Sequence, residues 1–277
     1  MRNLIYFELG NIIKRRELKL VILLLLIVSI ADFWVVSSVY EGYPSTQLRG
    51  FYDEFILVTP YSPIGIQIYT GFLFIIIVSL VYSDSLIIEK NNNISNYIYT
   101  RTCKSKHIIA KIIVSSITIF IITASALALN YILVRITFPN IGYTSFINVD
   151  QSVLGSKKLF EAYLGYELKF LQNIYFINKD LYIVALIIFK SLAAASISVF
   201  TIAISTIINQ NRMVLILIVS IIINIIPIIE ELIGTDYMLS LTNFHIARDL
   251  LSYIIMFVAM NIASYVIISK WIKKIEI

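Results

Sequence analysis

Six stretches of this chain are long, apolar and nearly free of charge, and few folds can accommodate them. They cover residues 20–40, 64–82, 112–134, 181–208, 213–229 and 250–269. A helix needs about 20 apolar residues to cross the hydrocarbon core of a bilayer. The only other spanning structure is a closed barrel of alternating strands, and these runs do not alternate. Composition agrees: 59% of the residues are hydrophobic and 14% charged, against about 25% charged in a soluble domain. The expected fold is an all-α membrane protein, a single transmembrane domain with six transmembrane helices. The fifth run is the shortest and carries Asn224 and Pro227 near its end. It follows the fourth so closely that the two should form a tight hairpin.

Orientation follows from the loop cations, which favour the cytoplasm. With the N-terminus inside, Arg2, Lys14, Arg15, Arg16, Lys19, Lys90, Arg101, Lys104, Lys106, Lys111, Arg212, Lys270, Lys273 and Lys274 face the cytoplasm. Arg49, Arg135, Lys157, Lys158, Lys169, Lys179 and Arg248 face out. Both termini are expected inside, in a bacterial cytoplasmic membrane. The pI of about 9.1 then reflects this asymmetry, and no nucleic-acid partner is expected. The single cysteine, Cys103, excludes an intramolecular disulfide and a zinc ribbon. The first apolar run is too long for a signal-peptide core and lacks a small-residue cleavage site.

Residues 1–16 read as an interfacial helix. Ile5, Tyr6, Leu9, Ile12 and Ile13 share one side of a helical wheel, with Asn3, Gly10, Asn11 and Lys14 opposite. A basic amphipathic segment before a span can lie among the inner headgroups or simply set orientation. The extracellular segment 135–180 carries Phe160, Leu164, Leu168 and Leu171 at helical spacing, which predicts one short amphipathic helix.

Motifs for enzymatic chemistry are missing. The sequence has no Gly-x-x-x-x-Gly-Lys-Ser/Thr loop, no His-Glu-x-x-His and no Gly-x-Ser-x-Gly elbow. No cofactor or metal site is expected, and His107 and His245 fall on opposite sides of the predicted topology. Glu230-Glu231 followed by His245 is similar to the glutamate and histidine clusters of CAAX-type intramembrane proteases. That family places an Arg after the pair where Thr235 stands here, and the glutamates read as solvated carboxylates beyond the fifth span.

Two charges lie within spans, Asp32 in the first and Lys190 in the fourth. Each costs a few kcal/mol in a bilayer unless it finds a partner or a cavity. Counted from the outer ends of their spans, both sit about 12–14 Å deep. Three arrangements satisfy them: a buried ion pair, an aqueous vestibule at Asp32, or a Lys190 stem reaching outward.

The connection between the second and third runs is disproportionately long, and long loops in compact proteins are usually functional. It reads YSDSLIIEKNNNISNYIYTRTCKSKHIIAKI. It resembles the corresponding loop of ABC-2 type export permeases, where an acidic residue precedes a helix, a turn follows, and a Lys opens the third span. Glu89 takes the acidic position, Ile94 and Tyr97 the apolar helix positions, Arg101 the turn and Lys111 the closing Lys. Asn91-Asn92-Asn93 stands where that family usually has a Gly, and Asn tolerates left-handed backbone better than most residues. The resemblance extends to the architecture of an elbow helix followed by six spans. It implies a permease that dimerises and binds a separate ABC ATPase subunit through residues 84–111, with Glu89 at the start of the coupling helix.

The function expected on this resemblance is the permease subunit of an ATP-driven exporter, moving an amphipathic substrate such as an antimicrobial peptide or drug. The alternative is a non-transporting immunity or sensor protein that binds a peptide at the outer surface. A secondary transporter should show inverted repeats and mid-membrane helix breaks, and neither is evident.

Overall fold

The structure is a computed structural model that describes residues 1–44, 48–52, 54–58, 69, 72–82, 85–92, 94–139, 174, 177–208, 211–233 and 250–275. Among these residues the protein is helical and contains no strand. Helix α1 (Arg2–Lys14) ends where Arg15 turns to extended backbone, and α2 (Arg16–Val39) starts at once. Then come α3 (Phe72–Leu80), α4 (Ser85–Asn91), α5 (Ile94–Arg101), α6 (Lys104–Thr137), α7 (Lys179–Ile207), α8 (Arg212–Ile233) and α9 (Leu250–Ile275). At the start of α7, the Asn178 side chain accepts hydrogen bonds from the Asp180 and Leu181 amides, a typical N-cap.

Three of these helices, α2, α6 and α7, are long and apolar enough to cross a membrane. Apolar helical stretches also run over Arg212–Ile223 and Phe257–Ile272. The core is apolar, but so is much of the exterior. Leu20, Leu23, Ile27 and Trp34 of α2 are exposed, as are Ile117, Ile121 and Ile132 of α6, while Ser29, Asp32, Thr123, Asn130 and Lys190 are buried. Aliphatic side chains facing outward suit lipid, and polar groups turned inward escape it.

Helix α7 is the centre of the bundle. Of its most apolar stretch 61% is buried, against 33% for α2 and 39% for α6, and it packs on α3, α4, α6, α8 and α9. Small side chains permit the close approach: Ser191, Ala193, Ala194, Ser196 and Ser198 are all buried. Its hydroxyls return to the helix backbone, as in Ser191 to Ile187 O and Thr201 to Ile197 O, both 2.7 Å. Others cross between helices, where Ser79 meets Thr201 at 3.3 Å and Asn261 donates to Ser196 at 3.0 Å.

The bundle has two distinct ends. At one, α1 packs against the start of α6, Ile108 of α6 meets Ala203 of α7 and Ile268 of α9, and Arg212 reaches Glu17 at 2.9 Å and Leu80 O at 3.0 Å. At the other, Tyr131 donates to Asp180 at 2.7 Å, and the Phe51 amide reaches Pro139 O at 3.1 Å.

Several sequence expectations change. The helix covering the third run starts at Lys104 rather than at residue 112, and its 34 residues span about 50 Å, well beyond the hydrocarbon thickness. Helix α8 continues through Pro227 to Ile233, so Glu230-Glu231 lie within the helix rather than beyond it. The expected amphipathic helix around residues 160–171, and His245, lie outside the described residues.

Candidate functional site

At the α1 end, four chain segments bury a cluster of charged and polar groups. Lys111, one helical turn beyond His107 on α6, donates to Glu89 Oε1 of α4 at 2.7 Å and to Glu8 Oε2 of α1 at 3.3 Å. The Tyr82 hydroxyl, in the turn after α3, also donates to Glu8 Oε2. His107 lies between the two carboxylates: Nε2 donates to Glu89 Oε2 at 3.0 Å, and Nδ1 faces Glu8 Oε1 at 3.3 Å. Glu8, His107 and Lys111 are fully buried and Glu89 nearly so.

Local structure explains how these groups meet. In α1 the apolar Tyr6, Phe7, Leu9 and Ile13 are exposed, as are Arg2, Asn3 and Lys14, while Glu8 and Ile12 turn inward. The sequence wheel grouped Ile12 with Tyr6, Leu9 and Ile13, but the structure separates them. A carboxylate flanked by apolar residues must escape lipid, and Lys111 offers the exit. Tyr82 adopts φ 65°, a left-handed conformation that costs a non-glycine residue about 1–2 kcal/mol. In that conformation its ring lies beneath the Arg15 guanidinium at 4.6 Å and the Lys111 ammonium at 4.8 Å.

Electrostatics hold the cluster together. Burial acts to raise the pKa of Glu89, but the His107 hydrogen bond and the Lys111 charge outweigh it, leaving the carboxyl below its ordinary value. Burial, and then the nearby Glu89 charge, raise the Tyr99 phenol. Glu8, Glu89 and His107 have ligand atoms within 4.8 Å of one another. The Lys111 ammonium already bonds both carboxylates, so a metal cation would have to displace it. The arrangement is a buried ionic clamp between α1, α4 and α6.

The five residues assigned to coupling separate into two groups. Glu89 and Lys111 meet inside the cluster, whereas Ile94, Tyr97 and Arg101 lie exposed on α5. There the Arg101 guanidinium stacks 4.4 Å from the Tyr97 ring. Tyr99 turns the other way and meets His107 edge-on, with ring centroids 6.1 Å apart. Helix α5 thus rests on the clamp by one side and shows an apolar-cationic face on the other. Glu89 does not start this helix as expected; it lies in the last turn of α4, and side-chain cations rather than a helix N-terminus stabilise it.

The two intramembrane charges are not paired with each other. Asp32 Oδ2 accepts from Asn130 Nδ2 at 3.2 Å, and the same amide donates to Ser29 O while accepting from the Ile56 amide. Lys190 places its ammonium 4.6 Å above the Phe74 ring. Among the described residues no salt bridge joins Asp32 to Lys190, because α2 packs mainly on α6, and Lys190 turns toward α3 instead.

Sequence reasoning missed Glu8, Tyr82, His107 and Asn130. The i, i+4 spacing of His107 and Lys111 on one helix face was a usable signal. A further feature is an apolar groove of about 450 Å³ between α6, α7 and α9, lined by Ile109, Ile112, Val199, Asn261, Ser264 and Tyr265 among others.

Fold and site together define a helical membrane protein whose N-terminal helix is clamped to the 34-residue α6 by buried charges. Neither a family model nor a curated protein nor a solved structure matches the chain.

Proposed function

We propose that the chain is the permease subunit of an ATP-driven exporter, spanning the bacterial cytoplasmic membrane six times with the α1 end in the cytoplasm. The observation that carries this reading is the clamp of Glu8, Glu89, His107 and Lys111, which ties the exposed helix α5 to the base of α6. A permease without nucleotide chemistry moves substrate uphill only when a partner contacts its conformational states differently. Helix α5 suits that contact. Ile94 and Tyr97 are 44% and 60% exposed on a segment fixed from behind, and aromatic side chains beside Arg are common binding anchors. The partner is a separate ABC ATPase, and a second permease chain completes the assembly. The groove between α6, α7 and α9, apolar with Asn261 and Ser264 in its lining, suits an amphipathic substrate.

Purification of the tagged chain from its host, followed by assay of ATP hydrolysis, tests this. An ATPase should accompany the wild type, and Ile94→Asp with Tyr97→Asp should reduce its association about tenfold or more while membrane insertion persists. An ATPase that binds the double variant as well as the wild type would place the coupling surface elsewhere. A preparation without any ATPase would overturn the exporter reading.

A further inference from the structure

A second feature of the α1 end shares Arg101 with the coupling face of α5 but does not depend on the coupling reading. A pocket of about 460 Å³ opens between the start of α1 and the α5–α6 junction, with Arg2, Arg101 and Lys106 in its wall together with Asn3 and Thr102. No carboxylate among the described residues lines it. Among the described residues none of these three cations forms a salt bridge; Arg2 and Arg101 rest only on the Tyr6 and Tyr97 rings. All three cations are exposed and solvated, and gathered around one pocket they set a positive local potential that favours an anion. The N-terminus of α6 opens at the same place, and its N-cap, Cys103, makes no side-chain capping bond, so the first amides of a long helix add to the positive potential.

We infer that this pocket binds a phosphate group, held by Arg2, Arg101 and Lys106. Its position indicates where the phosphate comes from. The same α1 that supplies Arg2 exposes Tyr6, Phe7, Leu9 and Ile13, side chains suited to the boundary between headgroups and acyl chains. A pocket at that level meets the phosphodiester of an anionic lipid, whereas phosphatidylcholine would also bring a quaternary ammonium against the three cations; free phosphate in solution is the other source of the same chemistry. Guanidinium groups bind phosphate oxygens in bidentate fashion, and an ammonium serves as a point charge.

The test uses the full chain in neutral detergent, with native mass spectrometry reading the retention of phosphatidylglycerol against phosphatidylcholine. The wild type should retain phosphatidylglycerol preferentially. Arg2→Gln with Lys106→Gln should weaken retention by about fivefold for each cation removed, and Arg2→Lys with Lys106→Arg should preserve it. Displacement of the lipid by millimolar inorganic phosphate would support the pocket with a soluble ligand, and resistance to displacement would support it with the lipid. Equal retention of the two lipids by the wild type, or undiminished binding by the Gln variant, would overturn the inference. Should the Gln variant fail to fold, Cys103 supplies a reading on the wild type, since it is exposed and lines the same pocket. Its alkylation by a neutral maleimide should slow with phosphatidylglycerol or phosphate relative to phosphatidylcholine, and an unchanged rate counts against the site.

Discussion

Lys111 is the residue on which the α1 end depends, because two buried carboxylates share its ammonium. Removing one partner of a buried ion pair leaves the other charge stranded and costs about 3–5 kcal/mol, whereas removing both members is milder. Lys111→Met should therefore lower stability by about that amount in denaturant titrations in detergent, and Glu8→Gln added to it should restore part of the loss. Coupling of this kind separates a clamp from two independent contacts. Glu89 adds a pH dependence. Its carboxyl is held below the ordinary value of 4.5, so its contribution is complete above that value and is lost as pH falls through the lower, folded-state value. Thermal unfolding between pH 6 and pH 3 should show wild-type stability falling more steeply than that of Glu89→Gln below about pH 4.5. Parallel curves would mean that Glu89 gains nothing from its cationic neighbours.

At the scale of elements, close packing around α7 is the feature most exposed to test. Ala194 is fully buried, and enlarging a side chain in a packed interior costs about 1–3 kcal/mol. Ala194→Leu should lower the melting temperature in detergent, whereas Leu192→Ala at an exposed position of the same helix should change it little. The elements also show what the sequence could reveal. Apolar run length located α2, α6 and α7, because the bilayer sets that length physically. Glu89 and Lys111 were legible only as separate positions of a motif; their pairing, with the desolvated ammonium between two carboxylates, was not anticipated. Glu8 was hidden because periodicity in a surface helix normally turns charge outward, and here the middle of α1 exposes Tyr6, Phe7 and Leu9 while Glu8 turns in. Asp32 and Lys190 misled because depth along a helix says nothing about its rotation, and rotation directs Asp32 to Asn130 and Lys190 to Phe74.

For the whole molecule the open variable is sidedness. The proposed orientation puts Cys103, an exposed thiol at the start of α6, in the cytoplasm. A membrane-impermeant thiol reagent should label it only after cells are opened, and labelling in intact cells would reverse the topology.

Helix α6 carries both Lys111 and Asn130, the first gripping α1 and α4, the second gripping α2 and the segment around Ile56. They are 19 residues apart on the helix, about 28 Å of axis, with no Pro or Gly between them at which a sharp bend could start. The helix therefore works as a strut: a tilt imposed near Lys111 has no joint in which to dissipate and reaches Asn130 as a displacement of the far end.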